Sequence, residues 1–221
     1  MARTARASRG DICTHVINRG NGRARVFHDE VDFREFVKLM AAASARLPMR
    51  VIAYCLMPNH LHLVLWPHGD GDLSRWMQWL MTAHVRRHHR RHGTDGHLWQ
   101  GRFKAFPVQK DEHLLTVLRY VERNPLRAGL VGRAQDWPWS SLGTADAPDA
   151  PALHPGPVPR PANWCHWVNE ADDPGQLEAL RNSVNRGAPW GGPTWAERTA
   201  AHLGLEASLR PHGRPRKAGS L

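Results

Sequence analysis

In the run YCLMPNHLHLVLWP, residues 54–67, two histidines stand one residue apart inside an otherwise apolar stretch. Side chains alternate along a strand, so His60, His62, Val64 and Trp66 share one face and Leu61, Leu63 and Leu65 the other. Two imidazoles so placed can reach one metal ion. They also suit the wetter face of a half-buried strand, with no ion at all. A metal needs further ligands, and LRYVERNP, residues 118–125, offers a candidate. Tyr120 and Asn124 stand four apart and lie one above the other on a helix. If that helix covers the free face of the strand, Asn124 brings an amide oxygen to the ion and Tyr120 points at whatever the ion holds. The plainer alternative makes Tyr120 a boundary residue with its hydroxyl in water and Asn124 a helix end before proline.

The elements that must position these groups are legible in the pattern. DICTHVIN, from Asp11, reads as a strand, and the glycine-containing RGNGRA as the turn after it. Phe33, Phe36, Val37, Met40 and Ala41 recur at helical spacing up to Pro48. MRVIAYCLM and HLHLVLW form a hairpin about Pro58-Asn59. A second helix, capped by Asp72 and striped by Leu73, Trp76, Met77, Leu80 and Met81, ends at Gly93. A short strand in RFKAFPV precedes a third helix, opened by Asp111 and striped by Leu114, Leu115, Val117, Leu118 and Val121, which stops at Asn124-Pro125.

The order β-α-β-β-α-β-α predicts an α+β fold. Its first six elements give a ferredoxin-like antiparallel sheet with two helices on one face, leaving the other face for the tyrosine-bearing helix. A core over 1–143 is expected, then an Ala-, Pro- and Asp-rich linker at 144–162. A C-terminal extension over 163–221 follows, with helices from Asp173-Pro174 to Gly187 and from about Thr194 to Leu203, and a basic tail.

Thirty Lys and Arg against twenty Asp and Glu give the 221-residue chain a net charge of +10. A polyanionic partner is implied. No apolar run is long enough to span a bilayer and the N-terminus lacks the apolar segment of a secretory signal, so a cytoplasmic, nucleoid-associated protein bound to nucleic acid is expected. The three cysteines form no Cys-x-x-Cys pair, so any metal must be held by histidines and oxygens.

Cations for phosphate contacts are dense in VRRHHRRHG, where Arg86, Arg87, Arg90 and Arg91 flank three histidines; a solvated helix end complementing the macrodipole accounts for them too. Asn18 and Arg19 end the first strand, Arg102 and Lys104 lie on the short fourth strand, and Arg127 follows the tyrosine helix. Trp99 is the tryptophan expected to stack on an unpaired base. In the tail, Arg214 stands in a Gly-Arg-Pro sequence with Arg210, Arg216 and Lys217 around it, and this arm is expected to grip a duplex stem in the minor groove.

The His60-Leu61-His62 strand followed by a helical Tyr120 and Asn124 resembles the single-tyrosine HUH transposases. VINRGN from Val16, YCLMPNHLHLVL, LWQGRFKAFPV from Leu98, RYVERNPLRAGLV from Arg119 and the terminal LRPHGRPRK narrow the likeness to the REP-associated tyrosine transposases. The likeness is close over residues 11–143 and looser over 182–217. It implies an HUH nuclease fold and a metal-dependent enzyme that binds palindromic, REP-like single-stranded DNA hairpins with a flanking tetranucleotide. Such an enzyme cleaves and rejoins DNA through a 5′-phosphotyrosine intermediate. It further implies that Tyr120 is the nucleophile and that His60, His62 and Asn124 hold Mg²⁺ or Mn²⁺, in a monomer or a homodimer. A free phenol is about one part in a thousand phenolate at pH 7, so the chemistry calls for metal assistance. The rival is a noncatalytic hairpin-binding regulator derived from such a transposase. A two-histidine RNA phosphoesterase lacks its second motif here, and a zinc-stabilised structural module gives no reason for Tyr120.

Overall fold

A computed structural model describes residues 9–143 and 150–210. Along the chain run β1 (Thr14–Arg19), α1 (Glu30–Arg46), β2 (Met49–Met57), β3 (His60–Pro67), α2 (Asp72–His92), β4 (Lys104–Pro107), α3 (Glu112–Glu122), α4 (Asn124–Arg127), α5 (Trp164–Asn169), α6 (Pro174–Arg186), α7 (Pro193–Leu203) and α8 (Glu206–Leu209). The four strands form one antiparallel sheet in the order β2-β3-β1-β4. That is the expected split βαβ arrangement: a two-residue turn can only return β3 beside β2, whereas α1 and α2 carry the chain across to the other neighbours.

The alternation along β3 divides the molecule. Leu61, Leu63 and Leu65 enter a core with Val16, Phe33, Phe36, Met40, Trp76, Met77 and Leu80, so α1 and α2 cover that face. Val64 enters a second core with Ile52, Phe106, Leu114, Val117, Leu118 and Val121, so α3 covers the other. Fully burying one such side chain contributes about 1.5–3 kcal/mol, and slipping β3 by one residue would send the leucines and histidines to the wrong faces.

Local signals set the ends. Asp29 caps α1 by accepting from the Val31 and Asp32 amides, Asp111 caps α3 through the His113 amide, and Asp173 caps α6 through the Gln176 amide. Gly93 ends α2 with φ 61°, a left-handed conformation costly for residues with a Cβ. One expected cap differs: Gly71 occupies the cap position of α2, and Asp72 is the first helical residue, its Oδ2 accepting from the Gly69 amide at 2.6 Å.

The segment expected as a linker is docked over its described part. The His154 amide donates to Val51 O at 2.8 Å and Arg160 Nη2 to Ile52 O at 3.0 Å. Upstream, the Ser141 amide donates to Tyr54 O at 2.9 Å. β2 is an edge strand whose outward backbone groups need partners, and this proline-rich chain supplies some of them. The other edge is treated alike, for Trp190 exchanges backbone hydrogen bonds with Pro107 and Gln109 beside β4.

Glu122 staples these layers. Its fully buried carboxyl accepts from Ser141 Oγ and from Trp164 Nε1, each at 2.7 Å, with Arg160 at 3.6 Å. Burial pushes the carboxyl above its ordinary 4.5, against the opposing pull of Arg160 and the two donors. The native state therefore holds this proton to higher pH than the unfolded chain does. Its contribution is fully present below 4.5 and is lost as pH rises from there through the folded value. Urea unfolding across that window is expected to show Glu122→Gln flattening the fall by up to about 1.4 kcal/mol per pH unit. An unchanged slope would show that folding does not raise the Glu122 carboxyl.

Candidate active site

His60 and His62 lie on the α3 side of β3 with ring centroids 5.0 Å apart. Each has one ring nitrogen held by a neighbour: His60 Nδ1 meets Asn59 Oδ1 at 2.7 Å, and His62 Nδ1 meets His15 Nε2 at 2.9 Å. In both rings Nε2 is the nitrogen left for a ligand. For His62 to present an Nε2 lone pair it must carry its proton on Nδ1 and donate it to His15, which places the His15 proton on Nδ1. That atom is buried without a partner. Metal-ligating histidines are held by such outer contacts as a rule.

The protonation states suit metal binding. Burial lowers His15 to about 3, burial followed by Arg19 lowers His60 to about 4, and burial followed by His60 and His15 takes His62 well below the ordinary range. All three are neutral imidazoles at neutral pH, the form that binds metal. The donor set and its held tautomers therefore fit a divalent ion.

Tyr120 reaches the same place from α3. Its ring stands edge-on to His62 at 5.7 Å and to His15 at 6.0 Å, with the Arg127 guanidinium carbon 4.6 Å from its centroid. Asn124, one turn on, donates from Nδ2 to Tyr120 O at 3.0 Å, and its Oδ1 accepts from Arg127 Nη1 at 3.2 Å. The amide thus ties off the end of the tyrosine helix, where Pro125 offers no N–H, and keeps one oxygen lone pair for a further partner. Together these groups line a cleft of about 520 Å³ that also carries Asn18, Arg19, Gln100, Arg102, Lys104 and Arg127, with Arg181 and Asn185 from α6.

Arg127 is held from behind. Asp172 lies 3.0 Å from Arg127 Nε, 3.1 Å from Arg123 Nε and 3.5 Å from Arg119 Nη1. Arg119 also donates to the carbonyls of Trp167, Glu170 and Ala171, and Arg123 to those of Val168 and Asn169. Three arginines spaced four apart along the tyrosine helix and its continuation grip the end of α5 and the chain just after it.

Of the residues expected to meet DNA, Asn18, Arg19, Arg102, Lys104 and Arg127 surround this cleft. The α2 cluster does not. Arg86, Arg87, Arg90 and Arg91 lie in the α1–α2 layer, across the sheet from the cleft, where Arg87 pairs with Glu35 and Arg91 with Asp29 and Asp32. Trp99 requires a correction as well. It is 6% exposed and packs against Phe27 and His84, so its ring belongs to the core and presents no face to a base. The stretch that follows it is exposed and reaches the cleft through Gln100, Gly101 and Arg102. Arg214, Arg216 and Lys217 lie outside the described residues.

Sequence reasoning missed His15, Arg181, Asn185 and the arginine clasp on Asp172. His15 had a usable signal. Two positions before Ile17, which sits opposite His62 in the β1–β3 register, it shares that face by alternation. Nothing in the local pattern of α6 or of residues 170–173 marks them as neighbours of Tyr120.

Comparison with known proteins adds the family. Residues 8–124, more than half of the chain, match the family model described as Transposase IS200 like. A Haemophilus influenzae protein named for the REP-associated tyrosine transposases is 27% identical over 118 residues, which span 49% of this chain and 67% of that protein. The REP-associated tyrosine transposase of Escherichia coli K12 is 27% identical over 98 residues, spanning 43% of this chain and 55% of that one. The matched part is thus between half and two thirds of these relatives' length. A solved structure of a REP-associated tyrosine transposase bound to a REP hairpin shares the fold, with a TM-score of 0.52 at 20% identity over 70% of this chain and 93% of that one.

Proposed function

The chain belongs to the IS200-like transposase family, and from that premise we propose that it is a metal-dependent single-strand DNA endonuclease and strand transferase acting on REP-like hairpins. The observation that carries this reading is the convergence of His60, His62, Tyr120 and Asn124 on one cation-rimmed cleft. A structural histidine pair gives no reason for a tyrosine and five positively charged side chains to gather around it.

In this reading the rim cations Arg19, Arg102, Lys104, Arg127 and Arg181 draw in the phosphate backbone, while Asn18, Gln100 and Asn185 are polar groups able to meet base edges. Tyr120 Oη attacks the phosphorus in line. The new O–P bond forms as the bond to the 3′-oxygen breaks, the phenol loses its proton and the departing 3′-oxygen gains one. A 5′-phosphotyrosine and a free 3′-hydroxyl result. One phosphoester replaces another, so the 3′-hydroxyl can reverse the step and rejoin strands without ATP. His60, His62 and Asn124 would hold Mg²⁺ or Mn²⁺, whose chemistry when bound is to withdraw charge from the non-bridging phosphate oxygens. Arg127 stacks on the Tyr120 ring and keeps it against the histidines. In this reading Tyr120 serves the histidines of its own chain, and the protein acts as a monomer or a homodimer. Arg214, Arg216 and Lys217 of the tail add contacts to the hairpin stem.

The test is a denaturing gel of the full chain with a labelled single-stranded oligonucleotide that carries a palindrome flanking its gene. With Mn²⁺ or Mg²⁺ we expect a cut strand and a covalent adduct, and chelation by EDTA is expected to abolish both while the hairpin stays bound. Tight binding with no cleavage under either metal would overturn the nuclease reading in favour of a hairpin-binding regulator. No helix among the described residues is long and apolar enough to cross a membrane.

A further inference from the structure

The three histidines of VRRHHRRHG do not serve the cleft, and two of them take part in a different arrangement. We propose that His28, His88 and His92 form a second metal site, for a Zn²⁺-class transition ion, on the far side of the sheet from the cleft.

His88 and His92 stand one turn apart on α2, and His28 precedes the Asp29 cap of α1. Ring centroids are 5.5 Å apart for His28 and His88, 4.7 Å for His28 and His92, and 4.5 Å for His88 and His92. One nitrogen from each ring lies within 4.8 Å of the others. Three nitrogens on a tetrahedral Zn²⁺ stand about 3.3 Å apart, as Zn–N bonds near 2.05 Å require. Small side-chain rotations close that gap.

Two independent features point to a ligand. Both ring nitrogens of His88 are buried without a hydrogen-bond partner. A neutral imidazole has one donor and one lone pair, and proteins rarely leave both unmet; a metal bond satisfies the lone pair. Behind the cluster, His92 Nε2 meets both Asp32 oxygens at 3.1 Å. The carboxylate accepts a hydrogen bond from Nε2–H and leaves Nδ1 as the ligand atom, the carboxylate–histidine arrangement of known metal centres.

The charges nearby accept a cation. Arg91, the guanidinium held by these carboxylates, pairs with both Asp29 and Asp32, so that group of three carries a net negative charge. Three imidazoles and no thiolate select Zn²⁺, Co²⁺ or Ni²⁺ over Mg²⁺. His28 is exposed, which leaves a fourth position open to water or to an outside ligand. Bound there, the ion would tie the start of α1 to the last turn of α2, the turn that carries Arg90 and Arg91.

The test uses the full chain with His60→Ala and His62→Ala, so that the cleft cannot contribute and its role stays a separate question. Stripped with chelator and titrated with Co²⁺, this variant is expected to develop the visible d–d absorption of a nitrogen-ligated ion. The signal should saturate at one equivalent, fade on adding Zn²⁺, and accompany a rise in Tm. Adding His28→Gln, at an exposed position where the circular dichroism is expected to stay unaltered, should weaken Co²⁺ binding at least tenfold. Asp32→Asn should weaken it about 10- to 100-fold. Absence of the absorption in the His60/His62 variant would overturn the proposal. So would an affinity indifferent to His28→Gln, which would place the ion elsewhere, such as at Asp111, Glu112 and His113.

Discussion

Tyr120→Phe is expected to bind the hairpin within about twofold of the native chain, to form no covalent adduct, and to lose cleavage by at least about a thousandfold. Only the hydroxyl is removed. The ring's contacts with His62, His15 and Arg127 are made by carbon atoms and face contacts that phenylalanine preserves, so the cleft keeps its shape and its cations. No other phenol can substitute. The chain has two tyrosines, and Tyr54 is fully buried in the core beneath α1 and α2, on the wrong side of the sheet. Binding followed by gel shift and adduct formation followed on a denaturing gel separate the two effects. An adduct that persists in the phenylalanine variant would assign the nucleophile elsewhere.

The second large effect is expected at a residue outside the cleft. Asp172→Asn leaves Arg119, Arg123 and Arg127 without their shared carboxylate, and removing one partner from a buried charge cluster costs about 3–5 kcal/mol. The side chains here are 8–17% exposed, and Arg119 and Arg123 keep backbone carbonyl partners, so about 3 kcal/mol is expected from urea unfolding at pH 7. Cleavage should fall by about tenfold beyond any unfolding, because Arg127 loses the anchor that holds it over Tyr120 and against Asn124. The acid dependence has a definite sign. Burial pushes the Asp172 carboxyl up, but Arg127 and Arg123 pull it net below 3.8. Its stabilisation is present above 3.8 and is lost as pH falls through the folded value. The native and Asp172→Asn stabilities should therefore converge on acidification. A gap that stays constant down to the acid limit would show that the carboxylate contributes packing and not charge.

Much of this arrangement follows from periodicities that a single chain carries. Alternation in HLHLVLW already separates the histidines from the leucines, and the four-residue spacing of Tyr120 and Asn124 already stacks them on one helix. Asp111, Asp173, Gly93 and Gly187 mark helix ends because capping is chemistry between residues a few positions apart. The order of strands and helices restricts the topology enough to give the observed sheet.

What local pattern could not decide was which face of the folded sheet each basic or aromatic residue meets. VRRHHRRHG and Trp99 read as DNA contacts on composition, yet α2 docks across the sheet from the cleft and Trp99 fills a gap between Phe27 and His84. His15 joins His62 across 47 residues, and Asp172 meets Arg127 across 45. Alternation in β1 gives His15 its face but not its partner, and the Asp172 pairing leaves no trace in the spacing of its own segment. Sequence by itself determined the strands and long helices of the core and the inward face of each, since those depend on backbone period and on contacts within a turn; the short helices α5 and α8 carry too few turns to show a period. Tertiary structure alone decided the partners, because a charge or an imidazole acquires its neighbours only when distant segments pack and water is excluded from between them.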